Sequence, residues 1–162
     1  MIKQHLSVVI PTYNGGENLV AIIHELFQQK GESFMLNEIV IRSDNSSDNT
    51  SDLIKNINDE RITFIDSKER LGFAASLRYL LSKASGGVVI ALNDDIKIID
   101  NLFIEKLIQP FIHETNVGLV SGKPIPLPPI SFIDKAITST YKAYQRMINS
   151  LADKNHKYSC DG

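Results

Sequence analysis

Short apolar runs alternate with longer stretches of helical spacing down most of this chain. Leu6 to Ile10 is β-branched and closed by Pro11, the pattern of a strand buried on both faces that ends in a loop. Leu19, Ile22, Ile23, Leu26 and Phe27 then recur at helical spacing from about Glu17 to Gln29, and Lys30-Gly31 supplies a terminal cation and a stop. Glu38 to Arg42 predicts a second strand, followed by the polar stretch Ser43 to Asn49 and a short helix through Leu53, Ile54 and Ile57. Ile62 to Ile65 predicts a third strand. Phe73, Leu77, Leu80, Leu81 and Ala84 mark a helix ending at Ser85-Gly86-Gly87, and Val88 to Leu92 is strand four. A helix with Phe103, Leu107, Ile108 and Phe111 on one face and a fifth strand, Val117 to Ser121, complete the rhythm. Strands alternating with helices predict an α/β fold: a mostly parallel, Rossmann-like sheet with helices on both faces.

Gly122 to Pro129 holds four of the six prolines and predicts an extended connection. Beyond it the pattern changes to one long helix, Ile130 to Leu151. Ile133, Ile137, Tyr141, Tyr144, Ile148 and Leu151 lie on one face, with Lys135, Lys142 and Arg146 opposite. That face predicts packing, with a membrane-surface role as the alternative. The chain divides by these patterns into residues 1–123 and 124–162 of one domain.

Bulk properties narrow the classes. A chain of 162 residues with 43% hydrophobic content suits one ordinary domain with a full core. Net charge is −2 without a basic stripe, which argues against a nucleic-acid partner. The lone Cys160 and the lack of a signal-peptide pattern at the start predict a cytoplasmic address, including the inner face of the membrane. No apolar run approaches the roughly 20 residues that span a bilayer.

In an open parallel sheet, ligands bind beyond the carboxyl ends of the strands. Three such ends are polar here: Pro11-Thr12-Tyr13-Asn14-Gly15-Gly16, Ser43 to Thr50, and Asn93-Asp94-Asp95. Tyr13 offers a stacking face and the small residues offer close backbone approach, although the same loop reads equally as a helix entry capped by Asn14. Asp44 suits a fixed acceptor for a base N–H, or an Asx turn. Asp48 reads as a structural cap for the following helix. Asp94 and Asp95 are adjacent carboxylates whose repulsion a hard divalent cation would relieve; a solvated helix start is the plainer alternative.

Taken in order, these segments resemble glycosyltransferase family 2, the inverting nucleotide-sugar transferases of GT-A fold. Leu6 to Asn14 is similar to the family's opening strand and loop, Asp44 to Thr50 to its second motif, and Gly72 to Ser76, Val88 to Leu92 and Asn93-Asp94-Asp95 to its third block. The resemblance implies that Thr12 and Tyr13 line the base pocket and Asp44 bonds the base, that Pro11 and Asn14 belong to the same nucleotide-sugar site, and that Asp94 faces the ribose or sugar. It implies that Asp95 ligates Mg²⁺ or Mn²⁺ on the diphosphate, with Arg70 near the nucleotide. The implied donor is a nucleotide-diphosphate sugar, UDP favoured, and the implied acceptor a glycan or lipid-linked hydroxyl, with peripheral membrane association. Cell-surface polysaccharide synthesis is the implied setting. Ser43, Arg78, Gly87 and Asn93 depart from the family's usual residues. The family's general base lies in an acceptor-binding half beyond Gly162, so no base is assigned and a truncated domain is expected; a binding module without transfer activity is the alternative. A dinucleotide-dependent oxidoreductase would need a Gly-x-Gly-x-x-Gly turn after strand one, which is absent, and a nucleotidyltransferase would want Arg or Lys in that loop.

Overall fold

The computed structural model describes residues 3–122. Eight elements follow in order: β1 (Gln4–Thr12), α1 (Gly16–Phe27), β2 (Phe34–Asp44), α2 (Thr50–Lys55), β3 (Ile62–Ser67), α3 (Phe73–Leu81), β4 (Val88–Ala91) and α4 (Phe103–His113). The four strands form one sheet in the order β3-β2-β1-β4, and every pairing is parallel. Chain order runs outward from β1 to β3 and then crosses back to β4. Right-handed crossovers that reverse direction must put their helices on opposite faces.

The core shows that division. Leu6, Val8 and Ile10 of β1 and Ile39 and Ile41 of β2 face Leu19, Ile22, Ile23 and Leu26 of α1, with Ile54 of α2 and Ile104 and Ile108 of α4 in the same cluster. Val9 and Val40 point the other way, onto Leu80 and Leu77 of α3. Alternation along each strand therefore feeds two apolar layers, and the expected helices on both faces are present. The four α1 side chains are at most 1% exposed, and each contributes about 2 kcal/mol by burial.

The strands run longer than the apolar runs suggest. β2 begins at Phe34, because its first residues pair with Gln4 to Leu6 across a register shift that leaves Asn37 as the extra residue. β1 continues through Pro11 to Thr12. Pro11 shares the parity of Val9, whose carbonyl accepts Leu92 N from the β4 side at 3.0 Å. Its missing N–H therefore faces past the end of β4 and removes no ladder bond.

One expected element is absent. Val117 to Ser121 forms no strand, and Leu119 is 87% exposed. An apolar run becomes a strand only where a sheet face or a helix covers its side chains, and nothing described covers Leu119. The chain separates into two units, Met1–Ser121 and Gly122–Gly162. The proline-rich connection after Gly122, the long helix and Cys160 lie outside the described residues.

Candidate functional site

The reversal of strand order places a topological switch point between β1 and β4, and the crevice outside their carboxyl ends is where this architecture takes ligands. Asp44 closes β2, Thr12 closes β1, and Asp94 and Asp95 follow β4. The two acidic loops thus flank the β1 loop at one end of the sheet. A surface depression of about 800 Å³ lies elsewhere, lined by Lys3, Glu32, Ser33, Glu105 and Gln109 near the amino ends of β1 and β2. Its Glu105 is taken up by Ser33, whose N–H and hydroxyl it accepts.

The β1 loop binds both neighbours. Thr12, 2% exposed, donates its hydroxyl to Asp94 Oδ2 at 2.6 Å, and Tyr13 N donates to the same oxygen at 3.2 Å. Asn18, on the first turn of α1, donates its amide to the Asp94 carbonyl. On the other side, Asn14 N donates to Ser46 Oγ at 3.0 Å, and Asn14 Oδ1 accepts Ser47 N at 2.8 Å. Asn14 and Asn45 both adopt left-handed backbone, with φ of 56° and 63°, a region Asn tolerates better than most residues. Asn14 therefore ties two loops together and does not cap α1, whose N-cap Gly15 makes no side-chain bond. Gly15 is required sterically, since a Cβ there would stand 2.4 Å from Thr12 Oγ1 and 3.0 Å from Asp94 Oδ2.

The β2 loop is hydrogen-bonded internally. Ser43 is fully buried and makes a local turn, accepting Ser46 N at 3.3 Å and donating to Ser46 Oγ at 2.9 Å. Asp48 Oδ1 accepts Thr50 N at 3.1 Å and Thr50 Oγ1 at 2.5 Å, the structural role its sequence position suggests.

Asp44 is buried and fully engaged on one oxygen. Oδ1 accepts Arg42 Nη1, Leu71 N at 2.8 Å and Ser76 Oγ at 3.1 Å; Oδ2 accepts Gly72 N at 2.7 Å. Burial raises its carboxyl, but the Leu71 amide, Arg42, the Gly72 amide and Ser76 outweigh that and hold it at about 2. Oδ2 keeps an acceptor position for a further N–H.

Arg70 and Tyr13 meet: the guanidinium carbon sits 3.8 Å from the ring centroid. Tyr13 is 41% exposed, so a ring face and a cation stand together at the crevice. Asp95 is exposed, and among the described residues nothing bonds its carboxylate. Asp94 Oδ1 has no described partner either. Two hard oxygen donors from adjacent residues suit a divalent cation whose remaining coordination comes from phosphate and water. No group of three or more His, Cys, Asp or Glu residues suited to a metal ion occurs among the described residues, so a cation here would depend on its ligand's oxygens.

Two contributors were not evident from sequence. Asn18 is an exposed polar residue within an amphipathic helix and offers no periodic signal. Arg42 stood only as the end of an apolar run, although a charge inside a buried strand is itself a flag.

A parallel sheet with acids and an aromatic ring gathered at its switch point defines an α/β domain with a polar crevice at its strand tips. The chain belongs to glycosyltransferase family 2: the family model "Glycosyl transferase family 2" matches residues 7–160. Among curated proteins it is similar to poly-beta-1,6-N-acetyl-D-glucosamine synthase of Staphylococcus aureus strain COL, 31% identical over 120 residues, covering 74% of this chain and 28% of the relative. The chain thus spans 28% of the length of that relative. Among solved structures, the mannosyltransferase PcManGT of Pyrobaculum calidifontis in complex with GDP-Man and Mn²⁺ matches with a TM-score of 0.63 at 20% identity, covering 73% of this chain and 35% of that one. S. aureus TarS 1-349 in complex with UDP-GlcNAc matches with a TM-score of 0.57 at 20% identity, covering 80% and 38%. Both support the GT-A fold expected from the motifs.

Proposed function

We propose that this domain binds a nucleotide-diphosphate sugar in the crevice between the β1, β2 and β4 tips, and that the protein transfers the sugar to an acceptor hydroxyl with inversion. The observation that carries it is the joining of three strand-end loops around one opening, with Asp94 held by Thr12 and the Asp95 carboxylate unbonded beside it among the described residues.

Each residue then has a task. Tyr13, backed by Arg70, offers the base its ring, backbone around Pro11 and Asn14 shapes the pocket floor, and Asp44 Oδ2 accepts a base N–H. The imide of uracil fits that last contact, which favours a UDP-sugar. Asp94, held by Thr12 and Asn18, faces the ribose or sugar, and Asp95 would ligate Mg²⁺ or Mn²⁺. When bound, such an ion neutralises the charge growing on the leaving diphosphate. The residues of this chain bind and orient the donor, and the general base is assigned to none of them. The acceptor we propose is a growing glycan or lipid-linked sugar at the inner face of the membrane; the name of the curated relative, a polysaccharide synthase, supports that setting.

Thermal unfolding with UDP and Mn²⁺ tests donor binding. Ligand at 100 times its dissociation constant adds about 2.7 kcal/mol, several degrees for a domain of this size. An unchanged midpoint with UDP, GDP and their sugars, each with metal, would sink the reading. Binding without transfer of labelled sugar to any glycan acceptor would leave a nucleotide-sugar-binding module.

A further inference from the structure

Arg42 is the least expected side chain in the fold. It is 4% exposed and lies within β2, two residues before Asp44. Its guanidinium reaches four partners. Nη1 donates to Asp44 and, at 2.7 Å, to Ser76 Oγ of α3; Nη2 donates to Ser67 Oγ at the end of β3 at 2.6 Å and to the Glu69 carbonyl at 3.2 Å. Tyr79 of α3 lies 5.9 Å from the guanidinium carbon. Asp44, oriented by Arg42, in turn holds the Leu71 and Gly72 amides. The segment from Lys68 to Gly72 is therefore gripped at Glu69, Leu71 and Gly72 by one ion pair.

The residue in the middle of that grip is Arg70, whose own side chain is stacked on Tyr13. Gly72 permits the turn with φ of 80°, and a Cβ there would meet nothing within 4 Å, so backbone conformation and not crowding selects glycine. A planar fork with five donors can serve Asp44, two hydroxyls and a carbonyl together, which a lysine cannot. Burying a charged pair is a costly way to hold a core together, since an apolar pair of equal volume often does as well or better. The pair is explained if it serves placement.

We propose that Arg42 is a positioning residue for nucleotide binding: through Asp44 and the Glu69 carbonyl it fixes the 68–72 loop so that Arg70 backs the Tyr13 ring and presets it to receive a base. The inference rests on the reading of this crevice as the nucleotide site. It adds that Asp44 serves two partners, the loop through its engaged oxygen and a base through Oδ2, so loop and base are coupled. A ligand reaching Oδ2 must share it with the Gly72 amide.

The test uses the whole chain with UDP alone, in chelator, so that the metal ligand Asp95 is not involved. Affinities of the native chain, Arg42→Lys, Arg70→Ala and the double variant form a cycle. We expect Arg42→Lys to weaken UDP by about tenfold, and Arg70→Ala to cost far less in the Arg42→Lys background than in the native one. With UDP saturating, Mn²⁺ affinity should stay unchanged in Arg42→Lys, a separation that general loss of folding would not give. Additive effects in the cycle would overturn the proposal. In the native chain, UDP should also shift the Leu71 and Gly72 amide and Arg42 guanidinium resonances together with the Tyr13 ring. Movement of the Tyr13 ring alone would overturn it even if Arg42→Lys fails to fold. Absence of any UDP binding to the native chain would instead count against the site as a whole.

Discussion

The Thr12 hydroxyl and the Asp94 carboxylate, 82 residues apart in sequence, are joined by a 2.6 Å hydrogen bond across the switch point of the sheet. That bond fixes the first acid of the Asn93-Asp94-Asp95 motif from the end of the central strand. In Thr12→Val the methyl groups fill the same buried space but the donor is gone, at a cost of about 1 kcal/mol. Calorimetric titration of Mn²⁺ in the presence of UDP should show affinity reduced by about fivefold, with the far-ultraviolet spectrum unchanged.

Asp95 offers the cleanest separation of metal from fold. Its carboxylate is exposed and unbonded among the described residues, so Asp95→Ala should leave the melting temperature of the ligand-free chain within about one degree. A charge pair at 4 Å is worth roughly 4 kcal/mol at an effective dielectric of 20, so the variant should lose the metal-dependent part of UDP stabilisation. The check is a melting series with and without Mn²⁺. A metal-dependent increment as large as in the native chain would remove Asp95 from the site.

Asp44 makes the fold sensitive to acid. Its folded value of about 2 lies below the ordinary 3.8, so protons favour the unfolded chain. The contribution is full above the ordinary value, about 2 kcal/mol, and is lost as pH falls through the folded one. Asp59 titrates in the same range, held at about 2 by its hydrogen bonds with Arg61. The comparison must therefore be between variant and native chain. Urea unfolding at stepped pH should show Asp44→Asn less stable at neutrality and converging on the native chain toward pH of about 2.

Gly15→Ala tests close packing at the mouth of the crevice. The new Cβ would fall 2.4 Å from Thr12 Oγ1, so the hydroxyl must turn away and release Asp94. We expect a loss of about 1 to 3 kcal/mol, the range of a modest overpacking, accompanied by the same drop in Mn²⁺ affinity as Thr12→Val. Combining the two substitutions should add little to the metal effect, because both remove one bond.

Much of this was legible in the sequence, for a definite reason. Buried parallel strands carry continuous apolar runs, and Leu6 to Ile10, Ile39 to Ile41 and Val88 to Leu92 announce themselves. The part of β2 from Phe34 to Asn37 did not, since it is a stretch of mixed residues paired only with the start of β1. Val117 to Ser121 carried the signal without the structure, because composition cannot report whether a partner face exists. At the site, Thr12, Tyr13, Asn14, Asp44 and Asp94 were visible as strand-end residues, and folding joins their loops. The contacts that align them, Asn18 to the Asp94 carbonyl and Arg42 to Asp44 and Ser76, involve partners that only the folded chain brings into reach.

Because the described ties between the acidic tips run through residues 12 to 18, chain length there is not free to vary. One residue inserted between Pro11 and Asn18 would detune both neighbours at once, whichever residue it was. The turn from Asn58 to Glu60, at the opposite end of the sheet, has no such duty. It is the place where a tag, a reporter or a natural insertion can be carried without disturbing the crevice.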